Sequence, residues 1–142
     1  MRKGELLGLK WDQVNFEQGI ITLTETKNNE RRDIPMDETV RNLLKGLGTE
    51  NGIPYVFLRD GQPLKFVDES FRTAVANSEI EDFHFHDLRH TFASNLVMAG
   101  VDIMTVKELM GHKDLTMTLR YSHLAPNHKT RAIHIFDAVI LF

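Results

Sequence analysis

Residues 87–111 read DLRHTFASNLVMAGVDIMTVKELMG, and the punctuation within this stretch decides the fold. From Asp87 to Ala99 the run is rich in helix formers, with Leu88, Phe92 and Leu96 recurring at helical spacing. Gly100 follows at the position where helices commonly end in a left-handed residue, a conformation glycine adopts without steric cost. Asp102 then caps a second helix, because its carboxylate can accept from the free N–H groups of the first turn. That helix runs to Met110 and stops at Gly111.

Working towards the N-terminus, Phe66, Phe71, Ala74 and Val75 predict a helix over 67–78. Asp60-Gly61 is a turn, Tyr55–Leu58 is a short apolar run in which Tyr55 reads as core, and 48–54 is a Gly-rich loop. Asp37 caps a helix carrying Val40, Leu43, Leu44 and Leu47 at helical spacing. From Val14 to Met36 the period changes to two. Ile20, Thr22 and Thr24 alternate with Ile21, Leu23 and Glu25, a β-branched mix suited to strands. Turns at Asn15–Gly19 and Thr26–Glu30, with Arg31–Pro35 returning, predict a three-stranded antiparallel meander with Lys27 at or near its second turn. Residues 2–10 predict a short helix that begins almost at the first residue without a cap, which points to a truncated N-terminus. On the other side, Pro126–Asp137 predicts a further helix. The apolar last residues, AIHIFDAVIL and Phe142, predict an element packed on the core or a tail docked on a neighbouring subunit. The fold class is α+β and mainly helical, with one domain over residues 1–142.

A chain of 142 residues is long enough to bury a core, and 42% hydrophobic with 26% charged residues is ordinary for a globular protein. With no cysteine, neither a disulfide framework nor a thiolate metal site is available. No apolar run is long enough to span a membrane, and MRKGELLGLK lacks the apolar region of a signal peptide, so the expected location is the cytoplasm. The net charge of −3 runs against a generic nucleic-acid binder. Local field matters more than the total, and cations do cluster at Lys27, Arg31 and Arg32, and among His84, His86, Arg89 and His90.

Four segments carry chemistry together. RKGEL holds Arg2 and Glu5, the hairpin turn holds Lys27, HDLRHTFAS holds His86 and Arg89, and LMGHKDLTMTLRYSH holds His112 and Tyr121. On a helix His86 and Arg89 share a face. Gly111 frees His112 to sit at a helix terminus. A five-coordinate phosphate needs several cationic donors, and the planar arginine fork suits two of its oxygens. Tyrosine is a weak nucleophile at its ordinary pKa of about 10, and a cationic surround favours the phenolate. Two arginines, two histidines and a lysine about one tyrosine form a phosphoryl-transfer set that calls for no metal.

In these residues the chain resembles the tyrosine recombinase (phage integrase) family, whose pattern is an Arg, a hairpin Lys, H-x-x-R, a His or Trp, and a Tyr. Arg2, Lys27, His86, Arg89, His112 and Tyr121 match in order, and RKGELLGLKWDQVNF, LRHTFAS and LMGHKDLTMTLRYSH match in their flanks, over residues 1 to about 130. The resemblance implies a small antiparallel sheet packed on a helical catalytic core. It implies that Arg2, His86, Arg89 and His112 grip the scissile phosphate, that Lys27 protonates the leaving 5′-oxygen and that Tyr121 forms a 3′-phosphotyrosyl link, without cofactor, metal or ATP. It also implies double-stranded DNA as partner and four subunits on that DNA. Family members carry an N-terminal DNA-clamping domain, so this fragment is expected to be monomeric and to bind DNA weakly, with Arg2 poorly held.

Around this set, Glu5 reads as a holder of the Arg2 guanidinium or of a backbone group. Asp87 and His90 read as groups that orient the others, and Arg31, Arg32 and His84 as DNA contacts. A metal site at His84, His86 and His90 is disfavoured because no H-E-x-x-H pattern accompanies them. Two other functions compete. One is a non-catalytic remnant or interaction module, favoured by the acidic balance; the other is a type IB topoisomerase, disfavoured by the integrase-like flanks.

Overall fold

The computed structural model describes residues 1–24, 31–48, 52–126 and 133–136. It divides into two compact units, Met1–Asp87 and Leu88–Phe142. Among the described residues no helix is long and apolar enough to cross a membrane.

The first unit opens with helix α1 (Lys3–Leu7) and a 3-10 turn at Trp11–Gln13. A three-stranded antiparallel sheet follows, with β1 (Val14–Asn15), β2 (Ile20–Leu23) and β3 (Arg32–Pro35) in that order. The predicted alternation is realised on β2. Ile21 and Leu23 are buried, whereas Thr22 faces the other way and donates to Asp33 Oδ1 across the ladder at 2.7 Å. Their inward side chains join Leu9, Leu44 and Val56 to make the core of this unit. Lys27 and the rest of the second turn lie outside the described residues.

Helix α2 (Glu38–Leu47) starts where predicted, with Asp37 accepting from the Val40 N–H at 2.7 Å. Its apolar row is not buried as a row. Leu44 is in the core, while Leu43 and Leu47 are 66% and 51% exposed. Leu44 packs with Ile21, Leu23, Leu9 and Val56, so the helix contributes one side chain of its row to that cluster. Tyr55 is also not the core residue of its run. It is half-buried with the Lys10 ammonium 5.6 Å from its ring centre, and its neighbour Val56 enters the core after its N–H bonds the Leu9 carbonyl. Strands β4 (Leu58–Arg59) and β5 (Gln62–Pro63) are joined by Asp60-Gly61, both at positive φ (53° and 71°), the twist a two-residue hairpin requires. Helix α3 (Asp68–Asn77) follows, tied to α1 by a Lys3–Asp68 pair at 2.8 Å. Its Phe71 meets Phe85 edge-on at 5.2 Å.

Helix α4 (Phe85–Met98) begins two residues before the predicted Asp87. The reason is local, because Asp87 stands in the first turn and its carboxylate accepts the His84 N–H at 2.7 Å. In the second unit, α4 buries Arg89, Ala93 and Val97, spaced by four. The predicted Leu88 and Phe92 lie one residue round and are 46% and 49% exposed. Gly100 (φ 85°) ends the helix, its N–H bonding Val97 and that of Val101 bonding Leu96. Helix α5 (Ile103–Met110) carries the predicted punctuation, with Asp102 accepting from Met104 and Thr105 and Gly111 left-handed at φ 61°, ψ 45°. Helix α6 (Thr116–Leu119) and a 3-10 turn at Ser122–Leu124 complete the unit. Ala93, Val97, Val106, Met110 and Tyr121 form its core. Of the predicted Pro126–Asp137 helix, residues 133–136 are helical, and all but Pro126 of the remainder lies outside the described residues.

Candidate active site

In the first unit the site residues converge on Glu5. The expected uncapped start of α1 does not hold, because Glu5 Oε2 accepts the Arg2 backbone N–H at 2.7 Å and caps the helix. The same carboxylate meets the Arg2 guanidinium at 3.2 Å and that of Arg32 at 2.9 Å, and its side chain is only 8% exposed. Arg2 is therefore held, contrary to the expectation for a residue beside a terminus. Arg31 and Arg32, read together as DNA contacts, part company: Arg31 is 70% exposed, 3.6 Å from Asp33, while Arg32 is 12% exposed and turned onto Glu5.

Burial alone raises the Glu5 carboxyl, but the Arg2 backbone N–H and the charges of Arg32 and Arg2 outweigh it and hold it below its ordinary 4.5. Stability from a depressed carboxyl is fully present above the unfolded pKa and is lost as pH falls through the folded one. Glu5→Gln is thus expected to destabilise the protein by about 2 kcal/mol at pH 7, the size of a hydrogen bond to a charged group. The difference from the parent should shrink steadily below about pH 4.5 in thermal melts. A difference independent of pH would mean that the charge of Glu5 contributes nothing.

His84 is 75% exposed, 3.5 Å from Asp87 through Nδ1. Asp87 accepts the His84 backbone N–H at 2.7 Å as well as lying near its ring. His86 sits exposed in the first turn of α4, three residues before Arg89.

In the second unit Arg89 is 8% exposed, and its guanidinium donates to the Met110 carbonyl at the end of α5. Left-handed Gly111 then turns the chain, and His112 is fixed by its N–H to the Lys107 carbonyl at 3.1 Å. The His112 ring meets Thr118 Oγ1 through Nδ1 at 2.9 Å. Tyr121, 5% exposed, has its ring in the core and its Oη 2.5 Å from His90 Nδ1. Arg89 and His90 on α4, His112 after α5 and Tyr121 after α6 are thus positioned within one unit. Sequence reading missed Thr118, since nothing in LTMTLRY distinguishes it from Thr116.

The model of the phage integrase family matches residues 1–128. The chain belongs to that family. It is 34% identical over 126 residues to the shufflon-specific DNA recombinase of Escherichia coli, covering 87% of this chain and 32% of that protein. The integrase-family chain thus spans about a third of the length of that relative. Among solved structures it resembles the catalytic domain of bacteriophage HP1 integrase, with a TM-score of 0.71 and 34% identity over 94% of this chain and 73% of that one. It also resembles the Tn1549 transposon integrase in complex with a circular intermediate DNA, with a TM-score of 0.77 and 26% identity over 94% and 54% of the two chains. The α+β fold read from the sequence is therefore that of a tyrosine recombinase catalytic domain.

Proposed function

We propose that residues 1–142 are the DNA-cleaving domain of a site-specific recombinase and that Tyr121 is its nucleophile. The observation that carries this reading is the 2.5 Å contact of Tyr121 Oη with His90 Nδ1, an imidazole placed to orient the phenol and take its proton. Tyr121 Oη attacks the scissile phosphorus and the bond to the 5′-oxygen breaks. A 3′-phosphotyrosyl link remains, and the leaving oxygen takes its proton from Lys27. The link keeps the energy of the phosphodiester, so rejoining needs no ATP. Arg89 and Arg2 supply the positive charge, and His86 and His112 further N–H donors, that the developing phosphorane requires, and metal ions are not called for.

The substrate is double-stranded DNA, with Arg31 and His84, 70% and 75% exposed, available to backbone phosphates. Arg32, turned onto Glu5, serves mainly to hold that carboxylate. The complete protein works as a tetramer on DNA in the cytoplasm, and this chain by itself is a monomer.

Covalent capture tests the reading. The chain is incubated with EDTA, without ATP, with nicked duplexes randomised around the nick, and SDS-resistant protein–DNA adducts are collected and sequenced. Adducts enriched in a common core sequence are expected. No adduct even at about 50 mM salt, where phosphate contacts are strong, would contradict the proposal and favour an interaction module.

A further inference from the structure

We propose that Thr118 is a positioning residue that holds His112 as the neutral imidazole with its proton on Nε2. The proposal rests on the reading of His112 as a phosphate donor and adds the residue that sets its tautomer.

Thr118 is fully buried, and its Oγ1 lies 2.9 Å from His112 Nδ1, six residues back along the chain. A buried hydroxyl needs a partner, and helical Ser and Thr usually find one in their own preceding turn. Thr73 does so with the Glu69 carbonyl at 3.0 Å, as does Ser78 with the Ala74 carbonyl at 2.7 Å. Thr118 instead reaches across to an imidazole. The contrast holds within one helix, since exposed Thr116 donates to Asp114 Oδ1 at 2.8 Å and closes the start of α6.

The contact has chemical consequences because the backbone of His112 is already fixed. Its N–H bonds Lys107 and it follows left-handed Gly111, so the ring has little freedom except in tautomer and rotation. A neutral imidazole has one donor and one acceptor nitrogen. When the Thr118 hydroxyl donates into Nδ1, the proton stays on Nε2, and Nε2 can donate to a phosphate oxygen. The opposite tautomer turns a lone pair on Nε2 towards that oxygen, which repels it. Residue 118 also carries the nucleophile, because its carbonyl accepts the Tyr121 N–H at 3.0 Å. One buried residue thus aligns His112 by its side chain and Tyr121 by its backbone.

The test is nitrogen-15 spectroscopy of the histidine rings in the full chain at neutral pH, with the seven histidines resolved by the signals lost in His112→Gln. The parent should show His112 with an acceptor-type Nδ1 and a protonated Nε2. Thr118→Val, of nearly the same shape, should give a mixture of tautomers and slow single-turnover adduct formation at saturating DNA by about ten-fold, the lower end of what loss of an orienting partner costs a metal-bound histidine. Thr118→Ser should restore both signals. A parent His112 protonated on Nδ1, or doubly protonated, overturns the proposal, and so does a Thr118→Val spectrum identical to the parent. The parent spectrum decides even if Thr118→Val does not fold. A correct tautomer in a chain that captures no DNA would sink the recombinase reading and leave the positioning contact standing.

Discussion

Tyr121→Phe is expected to abolish covalent DNA capture while leaving the fold in place. The ring is what the core uses. Tyr121 is 5% exposed and packs with Ala93, Val97, Val106 and Met110, contacts that Phe preserves. In the proposed mechanism the phenol oxygen forms the bond to phosphorus, and Phe lacks it. The structural cost is the hydrogen bond to His90, about 1 kcal/mol. Adduct should fall below detection while the melting midpoint drops by only a few degrees. The chain's other tyrosine, Tyr55, is half-buried under the Lys10 ammonium in the first unit and should not substitute. Retained adduct in Tyr121→Phe would remove Tyr121 from the mechanism.

The second large effect is expected at Arg89. Its guanidinium is almost fully buried and braces the Met110 carbonyl, the last residue before the turn that delivers His112. An arginine can hold this carbonyl with one edge and present further N–H groups to a phosphate, because its donors lie in a fixed plane. Lysine keeps the charge at a single point and cannot do both. Arg89→Lys should therefore slow adduct formation by about 100- to 1,000-fold, the range seen on deleting one preorganised donor to a transition state. Arg89→Met, which keeps much of the volume, should be at least as slow. It should also cost about 1–3 kcal/mol of stability by leaving a buried carbonyl without its donor. Rates in single-turnover capture, set beside thermal melts, separate the two contributions. Parent-like capture by Arg89→Lys would mean that the fork geometry is irrelevant.

Features set by a single residue were legible in the sequence. Asp37 and Asp102 cap, Gly100 and Gly111 stop, and the 20–23 alternation makes β2, because each depends on local backbone chemistry. Features set by partners were not. Which row of α4 is buried depends on what α5 offers it, and the answer, Arg89, Ala93 and Val97, lies one residue from the most apolar row. Arg31 stands just before β3 and Arg32 is its first residue, and only the position of Glu5 shows why Arg32 alone turns inwards. The clasp of Glu5 on Arg2 was readable from their spacing of three, whereas its second cation came from twenty-seven residues away. His90, expected from the sequence to orient the others, lies with its Nδ1 2.5 Å from Tyr121 Oη, a contact thirty-one residues apart that the sequence did not display. Thr118 had no sequence signal, since the value of a threonine lies in what it faces.

The net charge of −3 becomes less puzzling when the cations are followed individually. Arg2 and Arg32 share Glu5, so part of the positive charge in the first unit is spent internally. Arg31, 70% exposed, is not drawn into that cluster.

The most direct measurement is mass-spectrometric mapping of the captured adduct after nuclease trimming. The account predicts a nucleotide joined through its 3′-phosphate to the peptide that contains Tyr121, with a free 5′-hydroxyl on the released strand. A nucleotide on any other residue, or one joined through a 5′-phosphate, would contradict it.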